Sequence, residues 1–364
     1  MPTFSDKERP KTQMDSNDVK IGNQGGGGSL YSLGSGSSSL EAKPKGLAKV
    51  WREIKRPFRR LLTQLSRLRW RIQSRRIGLT RQEYERCKSL PELYIRLDGR
   101  VNIPYFEIDI ALGCNLRCQH CTHFSPYRKG YVPTEQIVHW FETWSKKIRP
   151  VRMNLLGGEP FLHPDLPAVL LETRRIWKDS TLGIVSNGLL IPQASQKVFD
   201  ALKRANFHVV ISDHSDSTLS YEKVVAGCVR LEENGISHEL RASNEQWWVQ
   251  HQWDEHGAFV PFQSDPRDAW SICISKGCPS LANNRFYKCA VLASVVEGVG
   301  EGALPSEHWK DFLTCSSLSP DANALTILKY FCTQEVQECS QCPDKIIITE
   351  ARQMPPLPAG QKAA

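Results

Sequence analysis

The sequence predicts an α/β fold, a parallel sheet covered by helices. Two patterns carry that expectation. From residue 104 to about 240, short runs of β-branched and aliphatic residues alternate with stretches of helical apolar spacing. Most of the short runs end in glycine or small polar residues, where a strand would hand over to a loop. Such alternation implies parallel pairing, because each helix must carry the chain back to the start of the sheet. A (β/α) barrel, open or closed, fits this rhythm as well as a doubly wound sheet does.

Residues 105–112 read as the first strand and 134–147 as the first helix. A strand over 151–156 ends in Gly157-Gly158, and a helix over 165–177 follows His163-Pro164, with His163 read as structural. Strand 182–186 ends in Asn187-Gly188 and leads to a helix over 192–205. Strand 207–212 ends at Asp213, helix 221–234 follows, and 236–240 is a short last strand. After about residue 242 the rhythm stops. Seven of the 12 cysteines lie from Cys273 onward, which marks a second, metal-bearing region over 243–350, with a tail at 351–364.

The first hundred residues differ in texture. Residues 1–45 are a Gly/Ser-rich tail, too poor in apolar surface to offset the entropy of ordering it. Residues 46–100 form a basic arm. Between Lys43 and Arg81 there are 14 Lys or Arg against one acid, Glu53, in a chain of formal net charge +8, so the body is mildly acidic. Val50, Trp51, Ile54, Phe58, Leu61, Leu62, Leu65 and Leu68 recur at helical spacing, and Pro57 would kink that helix. The arm reads as a solvated helix on the body, or as a peripheral contact with an anionic membrane surface. A nucleic acid is the weakest of its three readings. The chain starts polar, with no apolar signal segment and no apolar run of about 18 residues. A reducing, cytoplasmic setting is expected, at most peripheral at the inner membrane surface, and there clustered cysteines read as metal ligands before disulfides.

The first predicted strand runs into Gly113-Cys114-Asn115-Leu116-Arg117-Cys118-Gln119-His120-Cys121, a C-x3-C-x2-C pattern. Three thiolates on one loop grip one face of a metal centre. A closed zinc site needs four ligands, so zinc would require a distant cysteine, His120 or His123 as well. A 4Fe-4S cluster held by three cysteines keeps one iron free for a small molecule.

The same pattern, placed directly after a first strand, resembles the signature of the radical S-adenosylmethionine (radical SAM) superfamily. Gly157-Gly158-Glu159-Pro160 resembles that family's GGEP motif. The resemblance implies a partial (β/α)6 TIM-like barrel over residues 101–242, with Cys114, Cys118 and Cys121 holding the cluster. Its free iron would chelate S-adenosylmethionine, and the reduced cluster would cleave it to a 5'-deoxyadenosyl radical that abstracts hydrogen from a substrate. The resemblance also implies that His120 contacts adenine and that Gly157, Gly158 and Glu159 bind the amino group of the methionine part. Ser186 with Asn187, and Ser212 with Asp213, would contact the carboxylate or ribose; as a turn or helix cap each has a structural alternative. The family's Gly-x-Ile-x-Gly adenine motif has no clear counterpart beyond residue 235.

The late cysteines resemble the auxiliary-cluster extensions called SPASM and, in one-cluster form, twitch. Cys278 and Cys289 flank a short hairpin around Asn283-Asn284, and Cys339-x2-Cys342 follows. These four would hold a second 4Fe-4S cluster or a zinc ion, with Cys273 or Cys332 able to replace one of them. Cys87, Cys228 and Cys315 receive no role, and Cys87 is placed outside the core. The resemblance further implies a flavodoxin- or ferredoxin-type reductant and a small-molecule or peptide substrate, with oxidation of a sugar-like alcohol or modification of a peptide as outcomes. The competing class is a non-catalytic zinc module docked on membrane or nucleic acid, for which GGEP has no use.

Overall fold

The structure is a computed structural model. It describes residues 86–349 except 88, 216, 243–246, 254–258, 301, 303, 305, 314 and 316, and also Gln64 and Leu68. The tails at 1–45 and 351–364, and the basic arm before residue 86 apart from those two positions, lie outside the described residues. In chain order the elements are β1 (Tyr94–Ile95), β2 (Val101–Ala111), α1 (Thr134–Ser145), β3 (Ile148–Gly157), α2 (Leu166–Ile176), β4 (Thr181–Ser186), α3 (Gln196–Ala205), β5 (Phe207–Asp213), α4 (Thr218–Glu233) and β6 (His238–Ala242). Then come β7 (Trp247–Trp248), β8 (Gln252–Trp253), β9 (Phe259–Val260), α5 (Pro266–Ile272), β10 (Ser280–Ala282), β11 (Arg285–Tyr287), α6 (Ala290–Gly300), α7 (Ser306–Trp309), α8 (Ala324–Cys332) and β12 (Ile348–Thr349).

Strands β2 to β6 pair in chain order, all parallel. Every expected strand and helix of this region is present, with shifted ends. Strand β2 starts at Val101 because Val101, Asn102 and Ile103 pair with Ile148, Arg149 and Pro150 of β3. The expected helix over 192–205 begins only at Gln196; residues 191–193 form a separate 3-10 turn around Pro192. Helix α4 begins earlier than expected, because the Ser217 hydroxyl accepts from the Ser220 N–H at 3.3 Å and caps it.

The described strands form an open sheet, with β6 and β11 at its edges, which settles the architecture as a partial barrel. A sixth parallel strand exists, but it lies at the opposite edge from β6. Strand β10 runs parallel to β2 through Ser280 opposite Glu107, and β11 folds back on it. The turn between them places Asn283 and Asn284 at φ 48° and 57°, the left-handed pair that a two-residue hairpin requires.

Alternation along β2 sends Phe106, Ile108 and Ile110 into the main core, under the helices. Phe286 of β11 enters the same core edge-on, with ring centroids 5.3 Å from Phe106 and 4.7 Å from Trp144. Ile327 and Leu328 of α8 join it. The hairpin that carries Cys289 is therefore anchored in the same core as the sheet. Cys87 overturns its expectation: it is buried in this core and disulfide-bonded to Cys332, with Cα atoms 5.4 Å apart. That bond also removes Cys332 as a candidate ligand. Among the described residues no helix is long and apolar enough to cross a membrane.

Candidate functional site

The cysteine loop leaves the C-terminal tip of β2 and is fastened to the tip of β3 by backbone alone. Gly158 N–H donates to Ala111 O at 2.8 Å, and Glu159 N–H to Gly113 O at 3.0 Å. A Cβ on Gly157 would stand 2.1 Å from Ala111 O, and one on Gly158 2.0 Å from Gly113 O. The contact between the two chain segments by itself demands both glycines.

The Glu159 carboxylate is fully buried and accepts from Phe161 N–H (3.0 Å), Ser186 Oγ–H (2.8 Å) and Asn187 N–H (2.9 Å). Burial raises its pKa to about 7 despite those three donors. Glu159 and Ser186 therefore brace the tip of β3 against the tip of β4. Asn187 extends the brace to the cysteine loop: its Nδ2 donates to Asn115 Oδ1 at 2.8 Å and lies 3.7 Å from Cys114 Sγ.

Cys114, Cys118 and Cys121 lie on this loop and form no disulfide. Leu116 N–H points at Cys114 Sγ at 3.4 Å. Burial drives the Cys114 thiol far above its ordinary pKa, and Glu159 and the other two cysteines add to the shift. Three cysteine sulfurs on one short loop form a donor set that fits an iron–sulfur cluster.

Aromatic rings close the loop's outer side. Trp247 Nε1–H donates to His120 O at 2.7 Å, and Trp247 lies 4.7 Å from His214. The His120 ring lies 5.5 Å from His251. Phe124 is fully buried at φ 53°, a strained value for such a residue, and is held there by Phe259 at 5.7 Å and Trp309 at 5.8 Å. Arg128, on the same loop, forms a buried ion pair with Glu297 of α6 at 2.9 Å.

Tyr105, Glu107 and Asp109 occupy the face of β2 opposite the helices. Tyr105 O–H donates to Glu107 Oε2 at 2.9 Å, and burial lifts Glu107 to about 7. Asp109 Oδ2 lies 3.0 Å from His123 Nδ1. Burial alone would lower the His123 pKa, but the Asp109 carboxylate outweighs it and holds the ring up at about 9. Asn154 of β3 stands opposite Glu107.

Far along the chain, Cys273, Cys289, Cys339 and Cys342 line one cavity together with Lys288, Trp270 and Glu338. Cys273 closes α5, Cys289 follows β11, and the last two lie on one 3-10 turn where Cys342 N–H donates to Cys339 O at 3.1 Å. Cys278 is not in the cavity wall. It is carried to β2 instead, since the next residue's carbonyl, Pro279 O, accepts from Glu107 N–H at 3.0 Å. Cys273, the replacement the sequence allowed, lines the cavity, while Cys278 lies close enough to interact electrostatically with Cys289 and Cys273. Burial pushes Cys289 up to about 12 and raises Cys273, Cys339 and Cys342 as well. Four such sulfurs also fit a cationic iron–sulfur centre.

The radical SAM superfamily profile matches residues 108–237, which span β2 to the end of α4 and include the cysteine loop and all three strand tips just described. Over this stretch the chain is similar to the radical SAM superfamily. The family uses a 4Fe-4S cluster with S-adenosylmethionine. A GTP 3',8-cyclase of Clostridium acetobutylicum is 30% identical over 112 residues, covering 29% of this chain and 34% of that one. A probable GTP 3',8-cyclase of Methanococcus aeolicus is 31% identical over 146 residues, covering 38% and 47%. The chain thus spans between a third and a half of these relatives' length. The crystal structure of BtrN in complex with AdoMet and 2-DOIA aligns with a TM-score of 0.37 and 12% identity, over 67% of this chain and 98% of that one.

Within the matched stretch, the structure brings the cysteine loop, Gly157 to Glu159, Ser186 and Asn187 into one contact network. Ser212 stands apart on β5, opposite Arg241 of β6. Asp213 takes its structural alternative: its Oδ1 accepts from Ser215 N–H (2.9 Å) and Oγ–H (2.5 Å). His163 is structural, its ring bonded to Val132 O and Asp165 N. Sequence reading missed Trp247, His214, His251 and the Asp109–His123 pair. A Trp-Trp dipeptide just past the last βα unit, and a histidine two residues beyond the third cysteine, were the available signals.

Proposed function

We propose that the protein is a radical SAM enzyme with two iron–sulfur centres. The observation that carries the reading is the C-x3-C-x2-C loop, braced to two neighbouring strand tips by Gly158, Glu159 and Asn187 within the matched stretch. Cys114, Cys118 and Cys121 would hold the catalytic cluster. With S-adenosylmethionine bound and an electron supplied, this centre provides a 5'-deoxyadenosyl radical able to take a hydrogen atom from a substrate.

The chain's own residues have separable tasks. Backbone at Gly157 and Gly158 presents the tip of β3 to the methionine end. Asn187 fixes the cysteine loop, and His120 with Trp247 supplies the aromatic wall for adenine that the sequence left unassigned. Substrate would lie over the polar face of β2, where Glu107, Asp109 and Asn154 offer hydrogen bonds to hydroxyl or amide groups. A sugar-like alcohol or a peptide side chain suits that face. Cys273, Cys289, Cys339 and Cys342 would hold the second cluster, and a flavodoxin or ferredoxin would deliver the electron.

The test is iron and sulfide content after anaerobic reconstitution, with dithionite-driven formation of 5'-deoxyadenosine. Wild type should hold about eight irons and the Cys114→Ala/Cys118→Ala/Cys121→Ala variant about four, with S-adenosylmethionine cleavage only in the former. Four falling to zero would remove the second cluster. Iron-free protein would end the proposal.

A further inference from the structure

Among the described residues that line the C-terminal cysteine cavity, Lys288 is the one cation. It directly precedes Cys289 and sits where β11 ends. Its Nζ donates to Thr333 O, and lies 3.5 Å from Tyr330 O. Both carbonyls belong to the C-terminal end of α8, the electronegative end of the helix, with Thr333 as its cap. Two ring faces flank the same nitrogen, Trp270 at 5.4 Å and Tyr330 at 5.8 Å. Carbonyl oxygens and π faces accept a cation; none of these groups could donate to a neutral amine. Burial pulls the Lys288 pKa down to about 8, against which the neighbouring Cys339 and Cys289 act, and these acceptors hold the ammonium form in place.

A cluster on four thiolates carries net negative charge, and reduction adds one more. A cation fixed beside it in a low-dielectric wall favours the reduced form, since the added charge is neutralised where water cannot do so. Glu338, in the same wall, acts in the opposite sense. We propose that the Lys288 ammonium is a fixed positive charge that raises the reduction potential of the C-terminal cluster, making that centre a better electron acceptor. Lys288 is then a positioning residue for charge and touches no reacting atom. The inference rests on the reading that Cys273, Cys289, Cys339 and Cys342 hold a cluster.

The experiment is an EPR-monitored redox titration at one fixed pH. It uses the full chain carrying Cys114→Ala/Cys118→Ala/Cys121→Ala, so that the signal comes from the C-terminal centre alone. Lys288→Gln should lower the reduced-to-oxidised ratio at least tenfold at the parent midpoint, a shift of ~59 mV for a one-electron couple. Lys288→Arg should stay near the parent, and Glu338→Gln should move the midpoint upward. A Lys288→Gln variant that keeps its four irons yet titrates at the parent midpoint overturns the inference and leaves the second cluster standing. If neither Lys288→Gln nor Lys288→Met loads iron while Lys288→Arg does, the lysine serves assembly, which also overturns it. An iron-free parent removes the second cluster and this inference together.

Discussion

At the tip of β2, three cysteines fall within eight residues and share one loop. Around the C-terminal cavity, four cysteines come from the end of α5, the hairpin β10–β11 and a late 3-10 turn, spread from Cys273 to Cys342. The first set is local, so chain connectivity holds its sulfurs together. The second is assembled by tertiary packing, with Phe286 and α8 anchoring the hairpin in the main core. The local set is therefore fixed by sequence spacing, whereas membership of the distant set depends on which way each strand turns.

The largest effect that can break this contrast is on iron content. Cys273→Ala should lose the C-terminal cluster, about four irons of eight. Cys278→Ala should keep nearly all of them, because Pro279 ties that segment to β2 rather than to the cavity. Iron and sulfide analysis of both reconstituted variants decides it, and the reverse pattern would restore Cys278 as the ligand. The sequence left Cys273 able to replace one of its four ligands, and these two variants read which of Cys273 and Cys278 joins Cys289.

That choice marks where the sequence stopped being informative. Helical spacing and strand-length runs reported every element between β2 and β6, since each is set by local periodicity. The cysteine loop was legible for the same reason. What was not legible depended on partners distant in sequence. Cys87 looked peripheral because nothing near residue 87 points to Cys332. The return of β10 to the edge of β2 rests on one register pair, Ser280 with Glu107, that no periodicity announces. The glycines of Gly157-Gly158 were recognised, but their contact with Ala111 O and Gly113 O is visible only in three dimensions.

A middle-sized effect concerns Glu107, which sits between the two regions at the β2–β10 pairing. Burial raises its folded pKa from 4.5 to about 7. The fold therefore favours the protonated carboxyl: its contribution to stability is fully present below about 4.5 and is lost as pH rises through about 7. Urea unfolding of the metal-free chain between pH 4 and 8 should show that decline. Glu107→Gln should make it shallower, the remaining decline belonging to Glu159, which burial also raises to about 7, and leave the variant more stable than wild type at pH 8 by an amount on the order of 3 kcal/mol. An unchanged slope would mean that other groups govern the pH response and that Glu107 is solvated more than its 8% exposure implies.

The smallest effect tests how far the local site is truly local. Asn187 is the side chain that links the tip of β4 to the cysteine loop, through the 2.8 Å bond to Asn115 Oδ1. Asn187→Ala removes this partly buried bond and also frees Leu189 N–H, which donates to Asn187 Oδ1 at 3.0 Å. The Glu159 brace survives, because it uses the backbone N–H of residue 187. The expected cost is about 1 kcal/mol in urea unfolding, with full iron content and slowed formation of 5'-deoxyadenosine. Cluster loss in this variant would show that three cysteines in one loop are insufficient alone. The two sites would then differ in degree, since both would depend on tertiary contacts to hold their sulfurs in place.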